Sequence, residues 1–434
     1  MTYSRAVEYI EEIPKFTKAN SLAHTRECLK RLGSPEKAFR VVHVAGTNGK
    51  GSVCAFLDSV LRRAGVHCGL FTSPHLVDIR ERFRTDGRMV SEEVFMDAFT
   101  QVKELCDVLE KDGIAHPNYF ETLFLMGMLI FKKAGVRVVV LETGLGGRLD
   151  ATTAVDDPLV CVITSVSRDH MRILGNTVTE IAAEKAGILV KGVPVVFDAD
   201  NKEAAGVIRD RAASLGCPCC QVTGKDTRII QITPDGTDFA LKEADGTERI
   251  LHIPFAAGYQ VMNAALAVRT VQILSGFWPV TGEALREGLK STHWPGRMET
   301  ALPGVILDGA HNEDGVARFA ETAALYAGSR PVSLLFSAVK DKDYRSMAAR
   351  LVSEVPFSHV TLTQVGGDRM LPARELEKVF HSLGYTETTC IEDPIHAFLS
   401  AADRREENGL LFCAGSLYLV GLIKRFLERG PDND

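Results

Sequence analysis

No apolar stretch in these 434 residues reaches the ~18 residues that a membrane-crossing helix needs. The longest candidate, Thr122–Phe131, predicts a buried helix instead. The opening residues Met1-Thr2-Tyr3-Ser4-Arg5-Ala6 lack the apolar core of a secretion signal. A basic excess is missing too. Fifty Lys and Arg against 56 Asp and Glu give a net charge of −6, which argues against nucleic acid as the main partner. There is no internal repeat and no low-complexity tract. Among the ten cysteines only Cys217-Pro218-Cys219-Cys220 forms a cluster, and it lacks a second ligand pair at zinc spacing. It reads as a loop with incidental thiols. Others, such as Cys161 inside Leu159-Val160-Cys161-Val162-Ile163, read as small buried hydrophobes. What remains is a cytosolic, soluble protein with no membrane or nucleic-acid partner, long enough for two or three domains at ~150 residues each.

Short apolar runs alternate with helical patterns. Strands are predicted at Phe39–Ala45, Val66–Phe71, Val136–Glu142, Leu159–Thr164 and Val193–Phe197, each almost wholly hydrophobic, as in a parallel sheet covered on both faces. Helices are predicted at Ser52–Ala64, Ser91–Lys111, Phe120–Lys133 and Thr179–Gly187. The more polar Thr227–Ile253 predicts antiparallel strands turning at Pro234-Asp235-Gly236. Two turn formers in Thr292-His293-Trp294-Pro295-Gly296-Arg297 mark a domain boundary. Strand-like runs resume at Gly304–Asp308, Val332–Ser337, His359–Thr363 and Leu410–Ala414. The fold class is therefore α/β: a large P-loop ATPase domain with a mostly parallel sheet, then a smaller C-terminal α/β domain of Rossmann-like type.

The most informative segment is Gly46-Thr47-Asn48-Gly49-Lys50-Gly51-Ser52, placed between a strand and a helix. Glycines let backbone N–H groups crowd around phosphate oxygens, and the helix N-terminus adds partial positive charge. Lys50 can neutralise β- and γ-phosphates, and the Ser52 hydroxyl can reach Mg²⁺. Gly51 interrupts the usual Gly-Lys-Ser/Thr order. The expected ligand is ATP or a close relative.

Glu142 ends a predicted parallel strand, at the sheet edge where ligands bind, and the following Gly144, Gly146 and Gly147 permit close backbone approach. It is placed to meet the Mg²⁺ of a bound nucleotide. Ser73, in Thr72-Ser73-Pro74-His75-Leu76, could complete the metal shell. The basic run Arg80, Arg82, Arg84 and Arg88 reads equally as a solvated loop or as a clamp for an anionic substrate. His170, just past a strand end, can serve a second metal. Lys185, taken alone, reads as a surface helix lysine.

Eight motifs occur in order: Gly46–Ser52, Thr72–Leu76, Glu142–Asp150, Asp169-His170, Glu184-Lys185-Ala186-Gly187, Pro295-Gly296-Arg297, Asp308-Gly309-Ala310-His311-Asn312 and Gly415-Ser416-Leu417-Tyr418. From about Tyr9 to about Arg425 the chain resembles the folylpolyglutamate synthases and their bifunctional dihydrofolate synthase forms, in the Mur ligase superfamily. The resemblance implies ATP-dependent amide ligation through an acyl phosphate, with folate or dihydropteroate and L-glutamate as substrates and two Mg²⁺ ions. It implies residues 1–296 as the ATP- and folate-binding domain and 297–434 as the glutamate ligase domain, acting as a monomer. It assigns nucleotide contacts to Thr47, Asn48, Gly49, Lys50, Gly51, Ser52, Asn263, Arg297 and Asp308, with Arg297 on phosphate and Asp308 on the ribose. Metal contacts fall to Ser52, Ser73, Glu142, His170 and a carbamylated Lys185. Substrate contacts fall to Ser73, His75, Arg80, Arg82, His311 and Ser416, and the catalytic set is Lys50, Glu142, His170, Lys185 and His311. The chain departs from the family pattern at Thr153, Tyr259, Ala414 and Arg168. A cell-wall Mur ligase acting on a UDP-sugar peptide is the alternative enzyme; its added N-terminal domain has no room before Gly46. A nucleotide switch without ligation chemistry would need Gly46–Ser52 but not His170, Lys185 or Asp308–Asn312.

Overall fold

The computed structural model describes residues 1–14 and 21–429. The larger of two compact units comprises Met1–Gln231, Asp238–Pro254 and Gln260–His293. The smaller comprises Ile232–Thr237, Phe255–Tyr259 and the chain from Trp294 onward.

Eight strands of the larger unit form one sheet: β1 (Arg40–Ala45), β2 (Cys68–Phe71), β3 (Phe83–Thr85), β4 (Arg88–Met89), β5 (Val138–Glu142), β6 (Val160–Ile163), β7 (Val195–Asp198) and β8 (Cys219–Val222). Their order is β4-β3-β2-β5-β1-β6-β7-β8. The run from β2 to β8 is parallel, and β3 and β4 add an antiparallel edge. After β1 the chain builds outward to one side through β2 and β5, then to the other through β6, β7 and β8. The topological switch therefore lies at β1, and ligands in such sheets bind beyond the carboxyl ends of the strands at that point.

Apolar side chains cover both faces. One cluster packs Val139, Leu141 and Phe71 against Phe95, Phe99, Phe124 and Phe131 from the helices Glu92–Lys111 and Tyr119–Ala134. The second helix begins at a capping box in which Asn118 accepts from Glu121 N at 2.9 Å, while the Glu121 carboxylate accepts from Asn118 N at 2.8 Å. Every residue from Glu121 to Phe131 is buried, as the run Thr122–Phe131 predicts. The helix Lys50–Arg63 packs so closely on Gly282–Lys290 that a Cβ on Gly288 would lie 2.5 Å from Val60 Cα.

Three further strands, β9 (Thr227–Thr233), β10 (Gly236–Lys242) and β11 (Glu248–Ile253), form a separate sheet. The two-residue link between β9 and β10 is the predicted hairpin turn. In the smaller unit, β12 (Glu299–Leu302), β13 (Val305–Leu307), β14 (Val332–Phe336), β15 (His359–Leu362), β16 (Thr388–Cys390) and β17 (Leu410–Ala414) are ordered β12-β13-β17-β14-β15-β16. All pairs are parallel except β12 with β13. Phe319, Phe336, Phe380 and Phe412 anchor its core.

Several elements are absent from the sequence reading, among them the short strands β3, β4, β12 and β16 and the helices Lys202–Ser214 and Tyr259–Leu274. Cys219 and Cys220 lie on the edge strand β8 and not in a loop. Its residues are largely exposed, so no apolar alternation betrays it. The helices Tyr3–Glu12 and Leu22–Arg31 escaped notice because they are short and mostly polar, burying only Ala6 and Ile10, and Thr25, Cys28 and Leu29.

Candidate active site

The glycine loop leaves β1 and enters the helix Lys50–Arg63 at Gly49, whose φ of 86° is left-handed and whose position carries no side-chain cap. The first helical N–H groups thus keep their capacity for an anion. Residues 164–167, which follow β6, pin the loop from below. Thr47 N donates to Ser165 O at 2.7 Å, Thr164 Oγ1 to Asn48 O at 2.7 Å, and Ser167 N to Thr47 Oγ1 at 3.2 Å. A Cβ on Gly46 would fall 1.7 Å from Thr164 Oγ1, so only glycine fits there. Lys50 Nζ folds back onto Thr47 O at 3.2 Å.

Glu142 ends β5, directly beside β1, with Val44 as its register partner. It is 3 % exposed, and its Oε2 accepts from Ser73 N at 2.9 Å. Because β2, β5, β1 and β6 are adjacent, Ser73, Glu142, the loop and residues 164–170 leave one sheet edge within about 15 Å. Next to Ser73, His75 Nδ1 accepts from Arg82 Nε at 2.9 Å. Arg82 is buried, its guanidinium 5.6 Å from the centre of the Tyr119 ring, and burial lowers its pKa. Arg80 is placed otherwise. Its guanidinium is spent on Asp78 at 2.8 Å and lies 5.1 Å over the Tyr3 ring, so the structure does not bring it to this site.

Lys185 closes the helix Val178–Lys185 and is 3 % exposed, which corrects its reading as a surface lysine. The helix is short and only weakly amphipathic in sequence, with Ile181, Ala182 and Lys185 as its buried positions. Lys185 Nζ donates to Gly46 O at 2.7 Å, beneath the glycine loop. Burial, reinforced by the nearby charge of Lys50, pushes its pKa down to about 7 against the opposing pull of Asp169 and Asp150. His170 is the more exposed neighbour. It holds a left-handed φ of 50°, and its Nε2 lies 3.9 Å from Asp169 Oδ2.

In the smaller unit Asp308 follows β13 and Ser416 follows β17, on adjacent strands. Asp308 is 2 % exposed and accepts from Met298 N at 2.9 Å, Ala310 N at 2.8 Å and Tyr259 Oη at 3.0 Å. Burial raises its pKa and the charge of Arg297 opposes this. Arg297 Nη1 donates to Gly296 O at 2.9 Å, and a Cβ on Gly309 would lie 2.0 Å from it. His311 Nδ1 faces Gly309 O at 2.8 Å, which fixes the ring. Ser416 Oγ accepts from Tyr418 N at 3.1 Å, at the start of the helix Leu417–Arg429.

Residues 44–271 match the Mur ligase middle domain, and 296–417 match the Mur ligase glutamate ligase domain. The chain is 35% identical to a dihydrofolate synthase/folylpolyglutamate synthase of Bacillus subtilis, over 98% of this chain and 99% of that protein. It is 32% identical to a folylpolyglutamate synthase of Lacticaseibacillus casei, over 99% and 100%. It belongs to the folylpolyglutamate synthase/dihydrofolate synthase family of Mur ligases. Among solved structures, the folylpolyglutamate synthase of Thermotoga maritima superposes with a TM-score of 0.85 at 31% identity, covering 99% of this chain and 98% of the other. An FPGS–AMPPCP–folate complex gives 0.84 at 28% identity, over 98% and 99%.

The donors suit the magnesium that this family implies. Ser52, in the first turn of its helix, and Ser73 and Glu142, at the ends of adjacent strands, offer hard oxygens. Among the described residues no three His, Cys, Asp or Glu side chains converge on one point. A cation here would take one carboxylate and hydroxyls from the protein and fill its shell with phosphate oxygens and water, as Mg²⁺ does beside nucleotides. Three supporting residues carried no role in the sequence reading. Asp150 accepts from Leu145 N at 2.8 Å, the charge of Asp169 acts on Lys185, and Gln260 reaches Ser52. The first two stand inside quoted motifs; Gln260 follows Tyr259, which departs from the family pattern, but it carried no role of its own there.

Proposed function

We propose that this protein is an ATP-dependent ligase that adds L-glutamate to tetrahydrofolate by γ-linkage, and also joins glutamate to dihydropteroate. Its family membership and the phosphate loop beside a buried Glu142 support the reading. The observation that carries it furthest is the Lys185 amine held at 2.7 Å from Gly46 O, beneath that loop. A nucleotide switch has no use for a buried lysine there.

The folate carboxylate attacks the γ-phosphorus of ATP, giving an acyl phosphate and ADP. The glutamate amine then attacks the acyl carbonyl, forming the amide and releasing phosphate and a proton. Backbone N–H groups of residues 49–52 and the Lys50 ammonium hold the phosphates. Ser52, Ser73 and Glu142 would hold one Mg²⁺ and His170 a second. Bound magnesium supplies charge neutralisation around the transferring phosphoryl group. Lys185, neutral in part near pH 7, attacks CO₂ and loses a proton to become a carbamate, exchanging a cation that repels Mg²⁺ for anionic oxygens.

Arg82, backed by His75 and Tyr119, binds the folate carboxylate. The supporting facts are its burial and its planar donor set. Asn263, Arg297 and Asp308 serve the nucleotide, and His311 and Ser416 the incoming glutamate, on the strength of the family pattern alone. Residues 1–296 would carry ATP and folate binding and 297–434 the glutamate step. Ten unpaired cysteines suit a reducing cytosol. Incubation with ATP, glutamate and tetrahydrofolate should yield a folate heavier by one or more glutamates. Release of ADP without a longer folate would defeat the proposal.

A further inference from the structure

Gln260 is the second residue of the helix Tyr259–Leu274 and has 0 % exposure. Its Nε2 donates to Ser52 Oγ at 3.2 Å, and its Oε1 accepts from Asn263 Nδ2 at 2.9 Å. Asn263 stands one turn further along the same helix, so the two side chains share a face. Asn263 Oδ1 in turn lies against Gly49, where a Cβ would come within 2.2 Å of it. All four residues belong to the larger unit.

A buried primary amide is polar at both ends, and the ends are not equivalent. Because Asn263 gives an N–H to Gln260 Oε1, only the NH₂ end of Gln260 is left to face Ser52. The Ser52 oxygen therefore accepts this bond and keeps its own hydrogen and a lone pair for other partners. Around Gln260 the helix is apolar, with Val261, Ala264, Ala265 and Leu266 all buried. Burying an amide there costs free energy unless its hydrogen bonds are made. Packing alone would be served as well by methionine or leucine.

We infer that Gln260 is a positioning residue for the phosphate loop. With Asn263 behind it, it holds the Ser52 hydroxyl in the orientation that turns a lone pair toward a nucleotide-bound divalent cation. This rests on the ligase reading above. Asn263 thereby gains a second task, to fix which end of the Gln260 amide meets Ser52.

The test is titration of AMPPCP into wild type, Q260M, S52A and the double variant, each with Mg²⁺ and with EDTA, alongside thermal melts. Q260M should weaken magnesium-dependent binding about tenfold, the scale on which partners of metal ligands act. Its binding in EDTA should stay within about twofold of wild type, and in the S52A background Q260M should add no more than that. Q260E should weaken binding with and without Mg²⁺, because a carboxylate takes the Ser52 hydrogen and sets a negative charge beside the phosphates. Equal losses for Q260M with and without Mg²⁺, or full additivity with S52A, would leave Gln260 a packing residue and overturn the inference alone. Wild-type protein that binds no AMPPCP with Mg²⁺ would sink the ligase reading and the inference together.

Discussion

A lysine amine at 3 % exposure, with Lys50 nearby, sheds its proton far more readily than one in water, and its pKa falls to about 7. The neutral form is the one that captures CO₂. Bicarbonate-supported ligation should therefore climb as pH rises through 7 and fall away below it. Lys185→Ala should lose ligation by at least about a hundredfold, with AMPPCP affinity largely kept in a calorimetric titration; full activity would refute the carbamate role. Arg80 and Arg82 separate in the same way. Both stand in one basic run, yet only Arg82 lines up with His75 beside Ser73. Arg82→Ala should raise the KM for folate about tenfold or more, the worth of a charged hydrogen bond. Arg80→Ala should leave that KM unchanged, since its guanidinium is spent on Asp78.

Strand β1 and the loop that leaves it carry two residues whose roles depend on the element around them. His43, fully buried with its Nε2 2.8 Å from Thr152 Oγ1, has its pKa pushed down by burial to about 3. The unfolded chain, with an ordinary histidine, binds one more proton than the folded one between about pH 6.5 and 3. Stability is therefore lost on acidification across that window, by up to about 1.4 kcal/mol per pH unit from this residue. His43→Gln should flatten the acid limb in urea melts compared at pH 7 and pH 5. An unchanged slope would mean that carboxylates alone set acid sensitivity. Just past the C-terminal end of β1, Gly46→Ala drives a methyl group into Thr164. AMPPCP binding should be abolished, while β1, already paired on both sides with β5 and β6, keeps the circular dichroism of the fold.

For the molecule as a whole, the activity assay must separate two acceptors. Dihydropteroate and tetrahydrofolate offered singly, with products weighed by mass spectrometry, should both gain glutamate. Extension of tetrahydrofolate alone would restrict the enzyme to polyglutamylation. Sedimentation should give one species at the 47.4 kDa of a single chain. Among the described residues no helix is long and apolar enough to cross a membrane.

Where strands are buried on both faces, hydrophobicity is continuous, and so β1, β5, β6, β7 and, in the smaller unit, β13, β14, β15 and β17 could be read from the chain itself, whereas the half-buried, polar β16 could not. So could the glycine loop, since phosphate binding needs particular residue types in unbroken succession. Elements and roles that rest on contacts across long separations could not. Lys185 meets Gly46 across 139 positions and Gln260 meets Ser52 across 208, and neither pairing leaves a local periodicity. The commitment of Arg80 to Asp78, two residues away, is local but leaves no periodicity to read. Burial of Lys185 and the facing of the Gln260 amide were decided only by the packing of distant segments, because solvent exclusion and hydrogen-bond geometry are properties of the packed chain.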